Sequence, residues 1–373
     1  CLTSRTHSMT QTKVEAPFVE NNRPLRNIMI NGDMAVSQRG DSTGVTASGY
    51  HACDRWNQNM SDAGTLSISQ DTEVPAGQGF SKSLKLDCTT ADASIASGSY
   101  HRLQQRIEAQ NMAAVESGTA NAKQTVWSFW IKFDNASGDF CVNVLNLSDS
   151  NNRVIAKKFT YASGAGWQKY SFVIPGDTGG NALTPDNSGA YYMQIYLQAG
   201  SDLTSGTLQT TWATRDNTNR AVGQTLQLTA NTSNNVYLTG CQWEIGDAPS
   251  DFEHTPFDVQ LRRCQRYFYR FAGGTADVFA HAIGSSSTGA ALVTTSPVEF
   301  RAAPSASHTN LGIQDTVNAL AVTGITIRTD LSANFRTIYV VLALSGGSVE
   351  QFRPYFATTD GSSNGYLDLS AEL

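Results

Sequence analysis

Apolar and polar residues alternate along short segments for most of the chain, and turn residues separate these segments. Residues 126–133 read Val-Trp-Ser-Phe-Trp-Ile-Lys-Phe, and similar runs cover residues 167–174, 191–197 and 236–245. Alternation with a period of two, bounded by Gly, Asn, Asp and Ser, is typical of β-strands. About ten such strands between residues 27 and 254 predict an antiparallel β-sandwich.

Residues 100–115 carry a more ambiguous pattern. Helix propensity alone would allow a helix over the whole segment. However, Leu103, Gln105 and Ile107 follow the period of a strand rather than that of a helix. We therefore predict a strand followed by one short helical turn.

The pattern changes twice near residue 255. Thr255, Pro256 and Asp258 predict a helix start, with Thr at the N-cap, Pro at the first helical position and Asp at the third. The spacing of the following apolar residues predicts one buried helix face, made of Phe257, Leu261, Cys264 and Phe268.

A strand period resumes at residue 267, with aromatic residues at every second position. Further runs at 278–283, 290–293, 323–327 and 337–343 predict a second, smaller β-sandwich that continues to the last residue. No period of 20–50 residues recurs, which disfavours a repeat-built β-helix.

Composition limits the class of protein. The chain has 373 residues, of which 40% are hydrophobic and 16% charged, so polar uncharged residues must carry most of the surface. Its length predicts two domains or more, and its net charge of −6 argues against binding to nucleic acid. We find no apolar run of about 18 residues, so we expect no membrane insertion. The six cysteines are scattered without metal-site spacing, and we interpret them as small core residues rather than disulfides.

Several motifs then resemble a known group. The run Tyr-Leu-Thr-Gly-Cys-Gln-Trp-Glu-Ile-Gly at 237–246, Phe-Glu-His at 252–254 and Cys-Gln-Arg-Tyr-Phe-Tyr-Arg at 264–270 resemble the domain junction of bacteriophage tail-fibre and related virion structural proteins. Asn-Ile-Met-Ile-Asn-Gly at 27–32 and Asp-Arg-Trp at 54–56 are similar to the start of their modules. We predict structural roles for these last two motifs, with the Trp56 indole packed beneath an ion pair of Asp54 and Arg55.

The resemblance implies an all-β chain in four parts. These are an N-terminal attachment arm (1–26), a carbohydrate-binding-module-like β-jelly-roll sandwich (27–254), a short helical linker (255–268) and a smaller C-terminal β-sandwich (269–373). It also implies a homotrimer that contacts other virion proteins through the arm. Assembly in the host cytoplasm and a final location on the tail or capsid surface complete this expectation.

Candidate chemistry is sparse. No catalytic or nucleotide-binding motif occurs, the histidines lack metal-ligand spacing, and we expect no cofactor, no metal site and no enzymatic activity. A structural calcium, common in the resembled modules, has no carboxylate cage that we can assign. The basic cluster formed by Arg262, Arg263, Arg266 and Arg270 is more typical of solvated residues or partners of acidic neighbours than of an anion site.

A glycan site needs exposed aromatic rings beside amide, hydroxyl or carboxylate groups. Tyr191, Tyr196 and Trp212 lie among loops rich in Asn, Asp and Thr, and we select them as candidate sugar-binding residues. Tyr192 is a fourth candidate, but it faces the opposite way from Tyr191 in a strand. Core packing is the competing interpretation of these rings.

These observations predict a virion structural protein, a tail fibre or similar appendage, that binds host surface glycan. A capsid decoration protein without receptor binding is the first alternative. A polysaccharide depolymerase is the second, because two carboxylates that meet only in the folded chain escape detection in a sequence.

Overall fold

The computed structural model describes residues 25–61, 64–148, 152–272, 278–315, 319–330, 335–346, 349–359 and 365–373. The predicted attachment arm therefore lies outside the described residues, apart from its last two. The predicted domain boundaries stay predictions.

The described residues form two groups of strands. The N-terminal group comprises β1 (Ser42–Val45), β2 (Gly49–Tyr50), β3 (Asn57–Ser61), β4 (Thr65–Asp71), β5 (Ser83–Thr90), β6 (Tyr100–Glu108), β7 (Thr125–Asp134), β8 (Gly138–Asn146), β9 (Arg153–Tyr161), β10 (Gln168–Ile174), β11 (Gly189–Ala199), β12 (Ala213–Thr214) and β13 (Asn235–Ile245). The C-terminal group comprises β14 (Phe268–Ala272), β15 (Val278–Ser286), β16 (Gly289–Thr295), β17 (Ser305–Thr309), β18 (Leu311–Gln314), β19 (Ala319–Ile327), β20 (Thr337–Leu344), β21 (Pro354–Thr359) and β22 (Tyr366–Ser370).

Helices are short and few in the described part of the chain. The α-helices are Ser201–Thr204 and Phe257–Gln265, and the 3-10 helices are Ala109–Val115, Asn217–Asn219 and Leu228–Ala230. The strand β6 followed by the 3-10 helix confirms the prediction for residues 100–115.

The N-terminal strands build two antiparallel sheets. A six-stranded sheet has the order β1-β4-β5-β13-β7-β10, and a seven-stranded sheet has the order β12-β9-β8-β11-β6-β3-β2. Neighbours such as β5 and β13 are far apart in sequence, as expected for a jelly roll rather than a meander. The predicted all-β jelly-roll class is confirmed.

The core of this sandwich follows from strand alternation. In β7, Trp127, Phe129 and Ile131 are fully buried between the sheets, so the residues between them face outwards. Tyr191 and Trp243 come from β11 and β13 and pack against one another, with ring centroids 5.5 Å apart.

The C-terminal strands close on themselves. The strands β15-β16-β20-β19-β18-β21 form a closed barrel, because β21 pairs with both β15 and β18, and β14-β22-β17 form a separate three-stranded sheet. The smaller C-terminal sandwich that we predicted thus takes the form of a barrel with an added sheet. Its hydrophobic core is distinct from the jelly-roll core.

The helix Phe257–Gln265 begins one residue later than predicted. Pro256, not Thr255, is its N-cap, and no side chain caps it. Phe257 is 58% exposed, so the predicted buried face is wrong at this position. Cys264 and Phe268 are buried as predicted, and Gln260 adds to the buried face.

Two of the four arginines in the predicted cluster pair with carboxylates, and Arg262 is exposed to solvent. Arg266 donates two hydrogen bonds to the buried Glu108, each 3.0 Å long, and Arg270 contacts Asp368 at 2.7 Å. These contacts agree with the interpretation of the cluster as partners of acidic neighbours.

Arg55 corrects a second detail of the sequence analysis. We expected Asp54 and Arg55 to pair above Trp56, but Arg55 binds the carboxylate of Glu372 and lies 3.5 Å above the ring of Tyr267. Trp56 is buried as expected and donates its indole N–H to the backbone. The penultimate residue of the chain therefore folds back onto the jelly roll.

The described cysteines are buried free thiols, as predicted. They are Cys53, Cys88, Cys141, Cys241 and Cys264.

Candidate functional site

The candidate site is a cleft on the outer face of the six-stranded sheet. Alternation in β7 directs Trp127 and Phe129 inwards and Trp130 outwards, where the Trp130 indole is partly exposed. Lys169 is the cross-strand neighbour of Trp130 on β10, and Thr239 is its neighbour on β13.

A β-bulge in β13 shapes the floor of this cleft. The register between β13 and β7 shifts between Thr239 and Gln242, and Gly240 within the bulge has a φ of +63°. A Cβ atom at Gly240 would lie 2.6 Å from Cζ of Phe80 and 2.8 Å from Cδ1 of Trp130. Glycine is therefore required here both for the backbone angle and for the close approach of two rings.

A network of buried polar groups positions the loop that follows β13. Glu244 is 2% exposed and accepts hydrogen bonds from the Ser250 backbone N–H at 2.9 Å and the Ser250 hydroxyl at 2.6 Å. Gln242 donates to Glu244 at 2.9 Å and accepts from the backbone N–H of Glu253 at 2.8 Å. These bonds fix the loop on both sides of Phe252.

Phe252 then forms an aromatic wall with two neighbours. Its ring centroid lies 4.9 Å from that of Phe80 in an edge-to-face arrangement and 5.0 Å from that of His254. The Nε2 atom of His254 is 3.1 Å from the carbonyl oxygen of Gln78. Edge-to-face contacts of this kind stabilise aromatic pairs and define the orientation of the wall.

The resulting aromatic cleft has a volume of about 290 Å³. Its lining residues are Gly77, Gln78, Phe80, Ser128, Trp130, Lys169, Gly240, Asp251, Phe252 and His254. Rings thus form the walls, while one ammonium, one carboxylate, one amide and one hydroxyl stand around them. Asp251 is the single carboxylate in this lining, whereas most glycoside hydrolases use a pair of carboxyl groups at the active site.

A second aromatic pair lies on the same sheet face. The Trp167 and Tyr237 ring centroids are 6.3 Å apart, and the Lys132 ammonium lies 5.0 Å above the Tyr237 ring. Burial, followed by the nearby carboxylates, raises the pKa of Tyr237 to about 12. This face therefore presents aromatic rings and hydrogen-bond donors beyond the cleft itself.

Tyr191 does not occupy the position expected of an exposed platform. It is 2% exposed, packs against Trp243 in the jelly-roll core, and shares a hydrogen bond with the hydroxyl of Ser117. Burial raises the pKa of its hydroxyl. The expectation that this ring is exposed is wrong, because Tyr191 lies on the inner face of β11. Its neighbour Tyr192 faces outwards, as alternation requires.

The other two candidate rings, Tyr196 and Trp212, differ in how far they are buried. Tyr196 lies on the outer face of β11 but is fully buried, because Leu203 and Ala221 of the following loop cover it. Its expected exposure is therefore also wrong. Trp212 is partly buried and donates its indole N–H to the carbonyl oxygen of Pro175 at 2.7 Å. A role of Trp212 in glycan binding stays a prediction.

The aromatic cleft was missed although the sequence carries a signal for it. In the run Val-Trp-Ser-Phe-Trp-Ile-Lys-Phe, alternation assigns Trp127 and Trp130 to opposite faces, so one indole must leave the core. The contribution of Phe252 and His254 depends on how the loop folds back, which no local pattern determines.

The described residues lack two kinds of feature. They contain no group of three or more His, Cys, Asp or Glu side chains that could hold a metal ion. Within the same residues, no helix has the length and apolar character needed to cross a membrane.

Comparison with known proteins gives structural matches only. No protein-family model matches the sequence, and no curated protein matches it either. A putative sugar binding protein from Bacteroides thetaiotaomicron is similar over 59% of this chain and 100% of its own, with 12% identity and a TM-score of 0.31. The C-terminal family 22 carbohydrate-binding module of Clostridium thermocellum Xyn10B is similar over 52% of this chain and 89% of its own, with 12% identity and a TM-score of 0.28.

A third match is longer than this chain. The enzymatically active domain of bacteriophage CBA120 tailspike protein 4 is similar over 60% of this chain but only 22% of its own, with 12% identity and a TM-score of 0.29. The assignment of this chain to the jelly-roll class rests on its own sheet order and strand pairing.

Proposed function

We propose that this protein is a non-enzymatic virion component, a tail fibre or similar appendage, that binds glycan on the host surface. The aromatic cleft beside Trp130 is the observation that carries the binding part of this proposal. The virion part rests on the sequence motifs at the domain junction and at the start of the jelly roll.

The cleft suits a sugar for chemical reasons. A pyranose ring has apolar C–H faces, which pack on an indole, and hydroxyl groups at its rim, which need donors and acceptors. Trp130 offers the apolar surface, while Lys169, Asp251 and Gln78 offer the polar partners around it. A concave site with apolar walls and a few placed polar groups is the usual form of a small-ligand site.

Residues of the junction motifs shape the cleft. Gly240 allows the close approach of Phe80 and Trp130, and Gln242 with Glu244 anchors the loop that carries Phe252. Some residues that resemble the virion group thus support the cleft, whereas Phe252 and His254 of the same motifs line it.

An apolar face on the barrel supports self-association. Ile283, Val293 and Phe356 point outwards from neighbouring strands and are 54%, 55% and 45% exposed. The strands β15, β16 and β21 that carry these residues contain no Lys, Arg, Asp or Glu, and His281 packs against Phe356. Exposed apolar areas of this kind often mark protein contacts. In our proposal this face contacts other copies in a homotrimer, and the N-terminal arm contacts other virion proteins.

A trimer would strengthen glycan binding through avidity. Three weak glycan sites on one assembly bind a repetitive surface far more strongly than one site does.

A glycan array tests the proposal together with a reducing-end assay on the retained polysaccharides. Retention without new reducing ends is the expected result. Retention with cleavage would support the depolymerase alternative. Absence of retention by folded trimers, together with the protein's presence on purified particles, would favour the decoration alternative.

Two variants show whether retention depends on the aromatic cleft. Trp130→Ala removes the indole, whereas Val173→Ala trims a side chain that is 39% exposed on the neighbouring strand β10. We expect retention to fall with the first substitution and to persist with the second.

A further inference from the structure

A second pocket lies on the opposite side of the jelly roll, on the outer face of the seven-stranded sheet. Strand β6 supplies one wall, and the loop between β11 and β13 supplies the other. The pocket has a volume of about 240 Å³ and is lined by Gly98, Tyr100, Arg102, Asp202, Leu203, Arg215, Asn217 and Arg220.

A row of buried amides leads to this pocket across three strands. The Gln104 amide donates to Asn57 at 2.9 Å, and the Gln194 amide donates to Gln104 at 2.9 Å. Arg220 donates to the amide oxygen of Gln194 at 2.6 Å and so completes the row. These amides are buried, and their bonds fix the Arg220 guanidinium on the floor of the pocket.

The arginines of this pocket lack carboxylate partners. Three arginines and one aspartate line it, which leaves two formal positive charges in excess. Arg220 is only 2% exposed, and its Nε atom has no hydrogen-bond partner. Arg102 donates to the Tyr196 hydroxyl at 3.0 Å, and its Nε atom is likewise buried without a partner.

Three other arginines that are at least partly buried have carboxylate partners, whereas Arg263 donates to the backbone carbonyl oxygen of Asn27. Arg55 binds Glu372, Arg266 binds Glu108 and Arg270 binds Asp368. Proteins rarely bury a guanidinium without a counter-charge, because removing a charge from water is costly.

The surroundings of Arg220 disfavour its charged form. Burial, with a further contribution from Arg102 and Arg215, lowers the pKa of Arg220 to about 10, although the nearby Tyr196 opposes the shift. A bound anion would reverse the shift by favouring the charged guanidinium.

The lining also determines which anion fits. Arg215 donates from Nε and from a terminal nitrogen to the Asn217 amide oxygen at 3.1 and 3.0 Å, which holds its planar guanidinium at the mouth. Planar guanidinium groups match the two oxygens of a carboxylate. Tyr100 adds an aromatic ring to the same wall, and the volume lies just below the ~300–1,000 Å³ that drug-sized ligands need.

We propose that this pocket binds the carboxylate of an acidic sugar residue, so that the glycan recognised by this protein is an acidic polysaccharide. This inference rests on the proposed function, since it names the class of glycan. Arg102, Arg215 and Arg220 hold the carboxylate, Tyr100 contacts the ring, and the amide row keeps Arg220 in place.

Ligand-observed NMR on the full chain tests this proposal with three probes. Glucuronic acid carries the ring and the carboxylate, glucose carries the ring alone, and inorganic phosphate carries only negative charge. We expect glucuronic acid to bind, glucose not to bind at this pocket, and phosphate to compete weakly. Binding should weaken as salt rises from 0.05 to 0.5 M by about an order of magnitude, because the attraction is electrostatic.

Variants identify the pocket. Arg215 is exposed, so Arg215→Gln should fold normally and weaken glucuronic acid binding about 10- to 100-fold, the range for loss of a hydrogen bond to a charged group. Arg262→Gln removes the same charge from an exposed position on the helix Phe257–Gln265 and should leave binding unchanged. Arg215→Lys keeps the charge but loses the planar fork, so it should restore only part of the affinity.

The outcomes separate this proposal from the proposed function. Equal binding by the Arg215→Gln and Arg262→Gln variants, no glucuronic acid binding, or phosphate binding as tight as that of glucuronic acid would each overturn the acidic-sugar pocket. Retention of neutral glycans that depends on Trp130 alone would leave the proposed function intact and overturn this inference. Glucuronic acid binding without retention of any polysaccharide would instead overturn the proposed function.

Discussion

Gly240→Ala is the substitution that tests the construction of the aromatic cleft most specifically. Gly240 has a φ of +63°, in the left-handed region that alanine adopts at a cost of about 1–2 kcal/mol. The new methyl group would also lie 2.6 Å from Phe80 and 2.8 Å from Trp130, which is closer than carbon atoms tolerate. Overpacking of this kind costs about 1–3 kcal/mol, so the total loss of unfolding free energy is about 2–5 kcal/mol.

A matched glycine separates the two contributions. Gly164 has a φ of +69°, and a Cβ atom there would meet nothing within 4 Å. Gly164→Ala should therefore show only the backbone cost of about 1–2 kcal/mol. The difference between the two variants isolates the clash with the rings.

Urea denaturation and glycan binding provide the two measurements. We expect Gly240→Ala to be less stable than Gly164→Ala by about 1–3 kcal/mol. We also expect it to bind glycan more weakly while still folded, because Trp130 must move away from the bulge. Equal stability of the two variants, with glycan binding as in the parent chain, would refute our account of the cleft.

Three further predictions concern single side chains. Burial lowers the pKa of His101 to about 3, against 6.5 in the unfolded chain, so the unfolded state gains a proton first and stability falls as pH drops below 6.5. Relative to His101→Leu, the parent chain should lose about 2 kcal/mol of unfolding free energy between pH 7 and pH 5 in urea titrations. Arg266→Gln removes the cationic partner of the buried Glu108 and should cost about 3–5 kcal/mol by calorimetry, whereas the exposed Arg262→Gln should cost under about 0.5 kcal/mol. Gln242→Ala releases the loop that carries the aromatic wall, so it should weaken glycan binding and raise hydrogen exchange at residues 250–254.

Each of these predictions has a contrary result. A parallel pH dependence in the parent chain and in His101→Leu would assign the acid sensitivity to other groups. Similar melting temperatures for the two arginine variants would show that the Arg266 contact adds little. Unchanged exchange in the loop after Gln242→Ala would mean that Ser250 and Glu244 suffice to hold it.

The sequence predicts the sheets better than it predicts the surfaces built on them. Alternation in β7 is enough to assign inner and outer residues, since a sandwich buries one face of each strand. In β13 the bulge at Gly240 reverses the alternation, so that Leu238 and Cys241 both face the core. The same rule separates Tyr191 from Tyr192 correctly. It does not reveal which of the two faces the core, because both are aromatic.

Loops that cover the strands explain why the burial of Tyr196 and the arginine pocket were not predicted. Tyr196 faces outwards from its strand, yet Leu203 and Ala221 bury it. The same loop brings Arg215 and Arg220 next to Arg102, more than 100 residues earlier in the chain. Such contacts between residues distant in sequence depend on tertiary packing, and no local spacing predicts them.

The affinity of the Trp130→Ala variant for a retained polysaccharide tests the central claim most directly. The account predicts at least a tenfold rise in Kd, equal to about 1.4 kcal/mol, with unfolding free energy close to that of the parent chain. Val173→Ala should bind as the parent chain does, because Val173 lies on the same sheet face but outside the cleft lining. Unchanged affinity in the Trp130→Ala variant would contradict the claim that this cleft is the glycan site.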